Sequence, residues 1–233
     1  MSESTSSWPG ADRRKPSRGT PGWSIREPLA RWLEAEGRAA AGLRVLDVGC
    51  GVKPYLPLFA TAREYVGVDI ATGHADLIGN AEQLPVPDGS FDLVLCIQVL
   101  EHVEDPARVI RELHRVTRPG GRILLSTHGT QTFHPTPTDH WRWTHTGLER
   151  LFEQSGSWRS VTVTPGAGTG ACLGMLIATY VDLATQRLHV IRLGSLGIRL
   201  VNRVATLLDR MAPSLREPRP GSLFANYHVV AER

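Results

Sequence analysis

The chain has 233 residues, of which 41% are hydrophobic and 21% charged, with a formal net charge of +3 and a pI near 9.0. A chain of this length and composition suits one folded domain, able to bury about 70 to 75% of its unfolded surface. Three cysteines do not make a disulfide framework, the N-terminal stretch lacks the apolar core of a signal peptide, and no run of 18 apolar residues exists to span a bilayer, so a cytoplasmic protein is expected.

In chain order, residues 1–23 are rich in Ser, Thr, Pro, Gly and Arg without periodicity and predict a disordered tail ahead of a single domain over 24–233. Leu29, Trp32 and Leu33 fall at helical spacing and predict a helix covering a sheet. From residue 43 onward apolar runs alternate with helical patterns, predicting strands near 43–48, 64–69, 76–79, 91–97 and 122–127. A helix follows Asp105, with Pro106 at its first position and Val109, Leu113 and Val116 on one face. Such alternation predicts an α/β fold, a doubly wound, mostly parallel sheet with helices on both sides.

Beyond these lie a helix over 147–154, a sixth strand at 160–163 and a last strand at 227–231. The intervening stretch, about 167–222, is a predicted helical insertion between the last two strands. It holds an apolar segment from Ala171 to Ala184, then residues 188–211, where Leu193, Leu196, Leu200, Val204, Leu207 and Leu208 recur among Arg187, Arg192, Arg199, Arg203 and Arg210. That pattern is a basic amphipathic helix. It fits a peripheral membrane contact through 188–211, a lid or a dimer interface; no sequence feature sets the oligomeric state.

The first strand ends in the turn Gly49-Cys50-Gly51-Val52-Lys53-Pro54, and the second ends in Asp69. Gly49 and Gly51 let the backbone approach a ligand, and a helix is expected to follow with its N-terminal amides aimed at it. Asp69 is placed to accept both hydroxyls of a ribose. The turn has no glycine where a dinucleotide fingerprint needs its third, which argues against a nicotinamide cofactor.

Downstream, Asn80-Ala81-Glu82-Gln83-Leu84-Pro85, then Phe91-Asp92-Leu93-Val94-Leu95-Cys96, Val99-Leu100-Glu101-His102-Val103 and Arg118-Pro119-Gly120-Gly121-Arg122 follow in order. With the glycine turn they resemble the motifs of class I S-adenosylmethionine-dependent methyltransferases across roughly residues 43–156. Gly-Cys-Gly-x-Lys-Pro-Tyr at 49–55 and Asp139-His140-Trp141-Arg142-Trp143-Thr144 resemble one branch, whose members often modify glycans or lipids. The resemblance implies a Rossmann-like seven-stranded sheet and S-adenosyl-L-methionine as cofactor. It also implies cofactor contacts at Asp47, Gly49, Gly51, Asp69, Ile70, Asn80, Ala81 and Gln98, with Asp47 near the ammonium group and Asn80 and Ala81 at the adenine edge.

Methyl transfer from a sulfonium needs alignment and, for a hydroxyl acceptor, a base. The candidates are His102, His128, Asp139 and His140, with His134, Trp141 and Arg142 expected to bind the acceptor, by stacking on a sugar or gripping an anion. The histidine spacings match no standard zinc pattern, so no metal is expected. Cys96 lies in an apolar strand without an adjacent base, which disfavours a covalent thiolate mechanism. The acceptor expected is a small molecule, a glycan or a lipid-linked intermediate. Nucleic acid is not expected, although the basic pI keeps an RNA methyltransferase as one rival and a noncatalytic cofactor-binding partner protein as another.

Overall fold

A computed structural model describes residues 8–233. Its sheet has seven strands: β1 (Arg44–Val48), β2 (Glu64–Asp69), β3 (Leu77–Ile78), β4 (Phe91–Ile97), β5 (Thr117–His128), β6 (Ser160–Pro165) and β7 (Asn226–Glu232). The order is β3-β2-β1-β4-β5-β7-β6, with β1 to β5 parallel and β7 antiparallel to both β5 and β6. This is the expected doubly wound, Rossmann-like sheet. Its central strands are buried on both faces because they are continuous runs of Val, Leu and Ile.

Each face of the sheet builds its own core. Leu46, Val94, Ile123 and Leu125 pack under α3 (Pro106–Val116) and α4 (His145–Ser155), through Val109, Leu113, Leu148 and Phe152. The Asp105 carboxylate caps α3 by accepting the Arg108 amide at 2.9 Å, as its position in sequence anticipates. On the other face Val45, Leu93, Leu95 and Leu124 pack under α2 (Trp23–Arg38) through Leu29 and Leu33.

Two expectations change. The glycine turn leads not into an α-helix but into one 3-10 turn, Leu56–Phe59. Pro54 and Pro57 supply no amide donors there, and β2 begins only five residues after Phe59.

The tail, expected to be disordered over 1–23, is ordered from residue 8; residues 1–7 lie outside the described residues. Ala11–Arg14 form one short helix, α1. Trp8 donates its indole N–H to the Lys53 carbonyl at 2.8 Å, Arg14 donates to the Pro54 carbonyl at 2.6 Å, and Asn202 donates to the carbonyls of Arg18 and Thr20.

The insertion is a hairpin of two helices, α5 (Thr169–Arg187) and α6 (Ile191–Met211). The amphipathic pattern of α6 is present but faces outward. The helix buries Gly194, Ile198, Asn202, Ala205 and Asp209, while Leu193, Leu196 and Leu200 are 60 to 67% exposed. Small residues make the hairpin tight, for a Cβ on Gly174 would stand 2.6 Å from the Ala205 Cβ. Asp209, 6% exposed, locks the two helices by accepting the Gly170 and Ala171 amides at 2.8 and 2.9 Å. Asp209→Ala is expected to lower the unfolding free energy by about 2 kcal/mol, since both amides lose a charged acceptor; urea titration of the full chain checks it.

Candidate active site

The carboxyl ends of β1, β2, β4 and β5 meet at one edge, as an open parallel sheet requires of a ligand site. Gly49 and Gly51 have φ of +69° and +51°, in the left-handed region that glycine enters without strain. At Gly51 no atom lies within 4 Å of where a Cβ would stand, so that backbone is open to a ligand. Asp69, at the tip of β2, accepts the Gly51 amide at 2.8 Å and the Ala71 amide at 3.0 Å, which fixes its carboxylate beside the turn. Ile70 follows it, 65% exposed.

Asn80 turns its side-chain oxygen onto the Glu82 amide at 2.9 Å, and Ala81 is buried beside it. Gln98, at φ +58°, donates its side-chain amide to Ser126 at 2.8 Å. Asp47 is 2% exposed and accepts the Tyr65 hydroxyl at 2.6 Å; burial pushes its carboxyl up to about 7. Asp47 thus lies beneath the turn, against β2.

A cleft of about 320 Å³ opens past the ends of β1 and β4. Tyr55 and Gln98 line it near the turn, and Glu101, His102, His128 and His134 line its far part. Its remaining walls come from the parts of the chain that the sequence left without a role. Arg13, Gly22 and Ile25 belong to the tail and the start of α2, while Met175 and Thr179 belong to α5.

Glu101 is the site residue that sequence reasoning passed over. A carboxylate within Val99-Leu100-Glu101 was the available signal, because a charge inside an apolar run is either misplaced or used. It is 0% exposed, accepts the Thr127 hydroxyl at 2.9 Å, and its carboxyl is pushed up to about 7 by burial. Its Oε1 stands 3.3 Å from His128 Nε2. Burial drives His128 the other way, down to about 3. Glu101 Oε1 and His128 Nδ1 are buried and have no hydrogen-bond partner among the described residues.

His102 is tied through Nδ1 to the Thr138 carbonyl, and the Thr138 hydroxyl donates back to the His102 carbonyl at 2.8 Å. The neutral ring must carry its proton on Nδ1 to make that bond, which leaves Nε2 as a free acceptor. Burial also lowers its pKa below the ordinary 6.5. The His134 ring lies 5.6 Å from His102 and 6.2 Å from His128, centroid to centroid.

The loop that carries the remaining candidates is a clamp. Asp139 binds Arg142 in a bidentate pair at 2.5 and 2.7 Å, which holds its carboxyl well below the usual carboxylate range. Arg142 spends its other N–H groups on the carbonyls of Gln131, Thr132 and Trp141. Trp141 donates to the Val103 carbonyl at 2.8 Å and stacks on Trp143. His140 donates its backbone amide to the Glu101 carbonyl at 2.9 Å. The structure therefore gathers His102, His128 and His134 around the cleft, whereas Asp139, His140, Trp141 and Arg142 lie in the adjoining loop and are not among the residues that line it. Cys96 is a fully buried thiol whose pKa burial raises far above normal.

Comparison with known proteins agrees with this geometry. Residues 23–158 match the methyltransferase-domain family. A probable S-adenosylmethionine-dependent methyltransferase of Mycolicibacterium smegmatis is 36% identical over 158 residues, 60% of this chain and 61% of that protein. A ubiquinone biosynthesis O-methyltransferase of Pseudomonas aeruginosa is 35% identical over 116 residues, 41% of this chain and 48% of that one. The chain thus spans about half to three fifths of the length of these curated relatives. In fold it is similar to a methyltransferase of Archaeoglobus fulgidus, with a TM-score of 0.56 at 17% identity over 95% of this chain and 97% of that one.

The buried acid makes stability depend on pH. Unfolded, Glu101 loses its proton near its ordinary 4.5; folded, it holds the proton to about 7. Between those values the folded state binds more protons, so this group's contribution to stability falls as pH rises. Glu101→Gln is expected to remove that fall, leaving the variant more stable relative to the parent at pH 8 than at pH 5 in thermal unfolding.

Proposed function

The chain belongs to the methyltransferase-domain family and takes S-adenosylmethionine as its cofactor; from that premise we propose that it methylates an oxygen of a small-molecule, glycan or lipid-linked acceptor, with His102 as the base. The observation that carries this reading is the clustering of three imidazoles and a buried carboxyl in a cleft that Tyr55 and Gln98 also line. A hydroxyl is a weak nucleophile until a base takes its proton, whereas a neutral amine attacks without prior deprotonation. The similarity to ubiquinone biosynthesis O-methyltransferases supports oxygen as the acceptor atom.

The residues at the sheet edge fit the cofactor. The open backbone at Gly51 and the carboxylate of Asp69 suit its ribose, and Asn80 with the Ala81 amide suits its base. When bound, S-adenosylmethionine supplies a methyl carbon on a positively charged sulfur, an electrophile with an excellent leaving group. What the chain adds is position and a destination for the proton. His102 offers Nε2, with its tautomer set by Thr138 and its ring kept neutral at pH 7 by burial. The Glu101 carbonyl fixes the loop at His140 and Trp141, and the Asp139–Arg142 pair stiffens it, so that the backbone beside His102 is held in place.

Asp69→Ala should weaken S-adenosylhomocysteine binding by about 1.5 to 3 kcal/mol in calorimetry, since hydrogen bonds to a charged group are lost. Calorimetry that detects NADH but not S-adenosylhomocysteine would overturn the cofactor assignment.

Metabolite and lipid comparison of a deletion strain should find species lighter by one methylene, and the purified enzyme should convert such a species. His102→Gln should then cut turnover about 10² to 10⁴-fold while S-adenosylhomocysteine affinity stays within about threefold. The acid limb of the parent's kcat/KM profile should fall below pH 6.5. A product methylated on nitrogen or carbon, or full turnover by the variant, refutes the proposal.

A further inference from the structure

The helical hairpin presents an unusual surface. On α6 the buried residues Gly194, Asn202, Ala205 and Asp209 occupy one side, and the larger apolar side chains occupy the other. Leu193, Leu196, Leu200, Leu207 and Met211 are between 53 and 73% exposed. The exposed side of α5 continues this face with Leu173, Ile177, Tyr180 and Leu183, from 46 to 74% exposed. A contiguous apolar surface of this kind marks an interaction site.

Its charges identify the partner. At 3.6 residues per turn, Arg192, Arg199, Arg203 and Arg210 fall within an arc of roughly 40° along one flank of the apolar stripe. All four are exposed, and none forms an ion pair among the described residues. The hairpin's two acids, Asp182 and Asp209, offer them nothing: the first bonds Gln186 and the second is buried as the cap of α5. Beside the stripe, Arg18, Arg203 and Arg210 line a pit of 420 Å³ with Trp23, on which the Arg18 guanidinium lies 5.1 Å from the ring centroid. No helix among the described residues is long and apolar enough to cross a membrane.

We propose that this face docks on an anionic lipid bilayer, with the leucines at the acyl boundary and the arginines on lipid phosphates. A second copy of the chain is the poorer occupant. Pairing the face with itself brings two rows of arginines into one interface with no exposed carboxylate on the hairpin to neutralise them, whereas a layer of lipid phosphates supplies the missing charge. The placement has a consequence for access. Met175 and Thr179 of α5 line the cleft while Ile177 and Tyr180 point outward, so a docked hairpin sets the cleft beside the bilayer. Docking stands apart from the choice of acceptor, and its failure leaves the methyl-transfer proposal untouched.

Flotation of the full chain with vesicles of phosphatidylcholine alone, or mixed with phosphatidylglycerol, tests it. Recovery should be at least about tenfold greater with the anionic vesicles and should fall as salt rises. The double variant Arg199→Glu/Arg203→Glu should lose the anionic preference, and Leu196→Ser/Leu200→Ser should lose recovery, both with parental S-adenosylhomocysteine affinity as the control for folding. If either variant fails that control, the parent's own lipid and salt dependence decides. Equal recovery from the two vesicle types, no loss on charge reversal, or a stable dimer that the leucine double variant dissociates would each overturn the proposal.

Discussion

The functional edge depends on how the chain reverses after β1. Three positions there, Gly49, Gly51 and Lys53, take left-handed backbone conformations. For Lys53 that conformation costs roughly 1 to 2 kcal/mol, and the structure shows what holds it. Its ammonium meets Asp76 at 2.5 Å with the side chain 8% exposed, and Asp76 also accepts the Gly67 amide. Gly67 is bare because a Cβ there would stand 2.5 Å from Lys53 Cε. Lys53 is therefore a tie between the turn and β2. No helix has to approach this turn, so the third glycine has nothing to make room for. The same loop anchors the N-terminal segment, since the Lys53 and Pro54 carbonyls receive Trp8 and Arg14.

A second constraint is the burial of Glu101 and His128 in the cleft's wall. Burial raises Glu101 and lowers His128, so both groups favour their neutral forms and sit 3.3 Å apart without forming an ion pair. The charged pair in the neighbourhood, Asp139 with Arg142, is placed in the adjoining loop, where each partner satisfies the other. Such a division leaves Glu101 and His128 side by side as a neutral pair. A cation entering the cleft favours the ionised form of Glu101, so the wall can answer charge in its ligand without holding charge beforehand.

How much of this was legible in the sequence follows from where each signal lies. Strands β1, β2 and β4 are short apolar runs ended by turn residues, and Asp69 and Gly51 are within one βαβ-sized stretch, so local pattern sufficed. The tail was not legible because its order comes from contacts with residues 40 to 184 positions away, which composition does not encode. Glu101 was hidden inside an apolar motif and overshadowed by His102. In α6 the periodicity revealed a leucine stripe but not its direction. Leucines normally mark the buried side, and here Gly194, Ala205 and Gly174 do so instead, because a hairpin of close-packed helices selects small residues at its contact.

The hairpin also explains how one sheet can acquire a new wall at little structural expense. β6 and β7 remain paired in full antiparallel register, from Ser160 opposite Glu232 to Pro165 opposite Tyr227, although the chain between them travels through two long helices. The entropic cost of lengthening a connection grows only logarithmically, about 0.6 kcal/mol per doubling. The inserted helices offset much of it locally, through the Asp209 cap and the tight Gly174–Ala205 contact. The sheet edge that holds Gly51 and Asp69 is left undisturbed. What changes is the wall opposite, where Met175 and Thr179 face the cleft and the reverse side of the same helix faces outward. A single element thus lines the cleft on one side and presents an exposed apolar face on the other, so a shift of the helix moves both together.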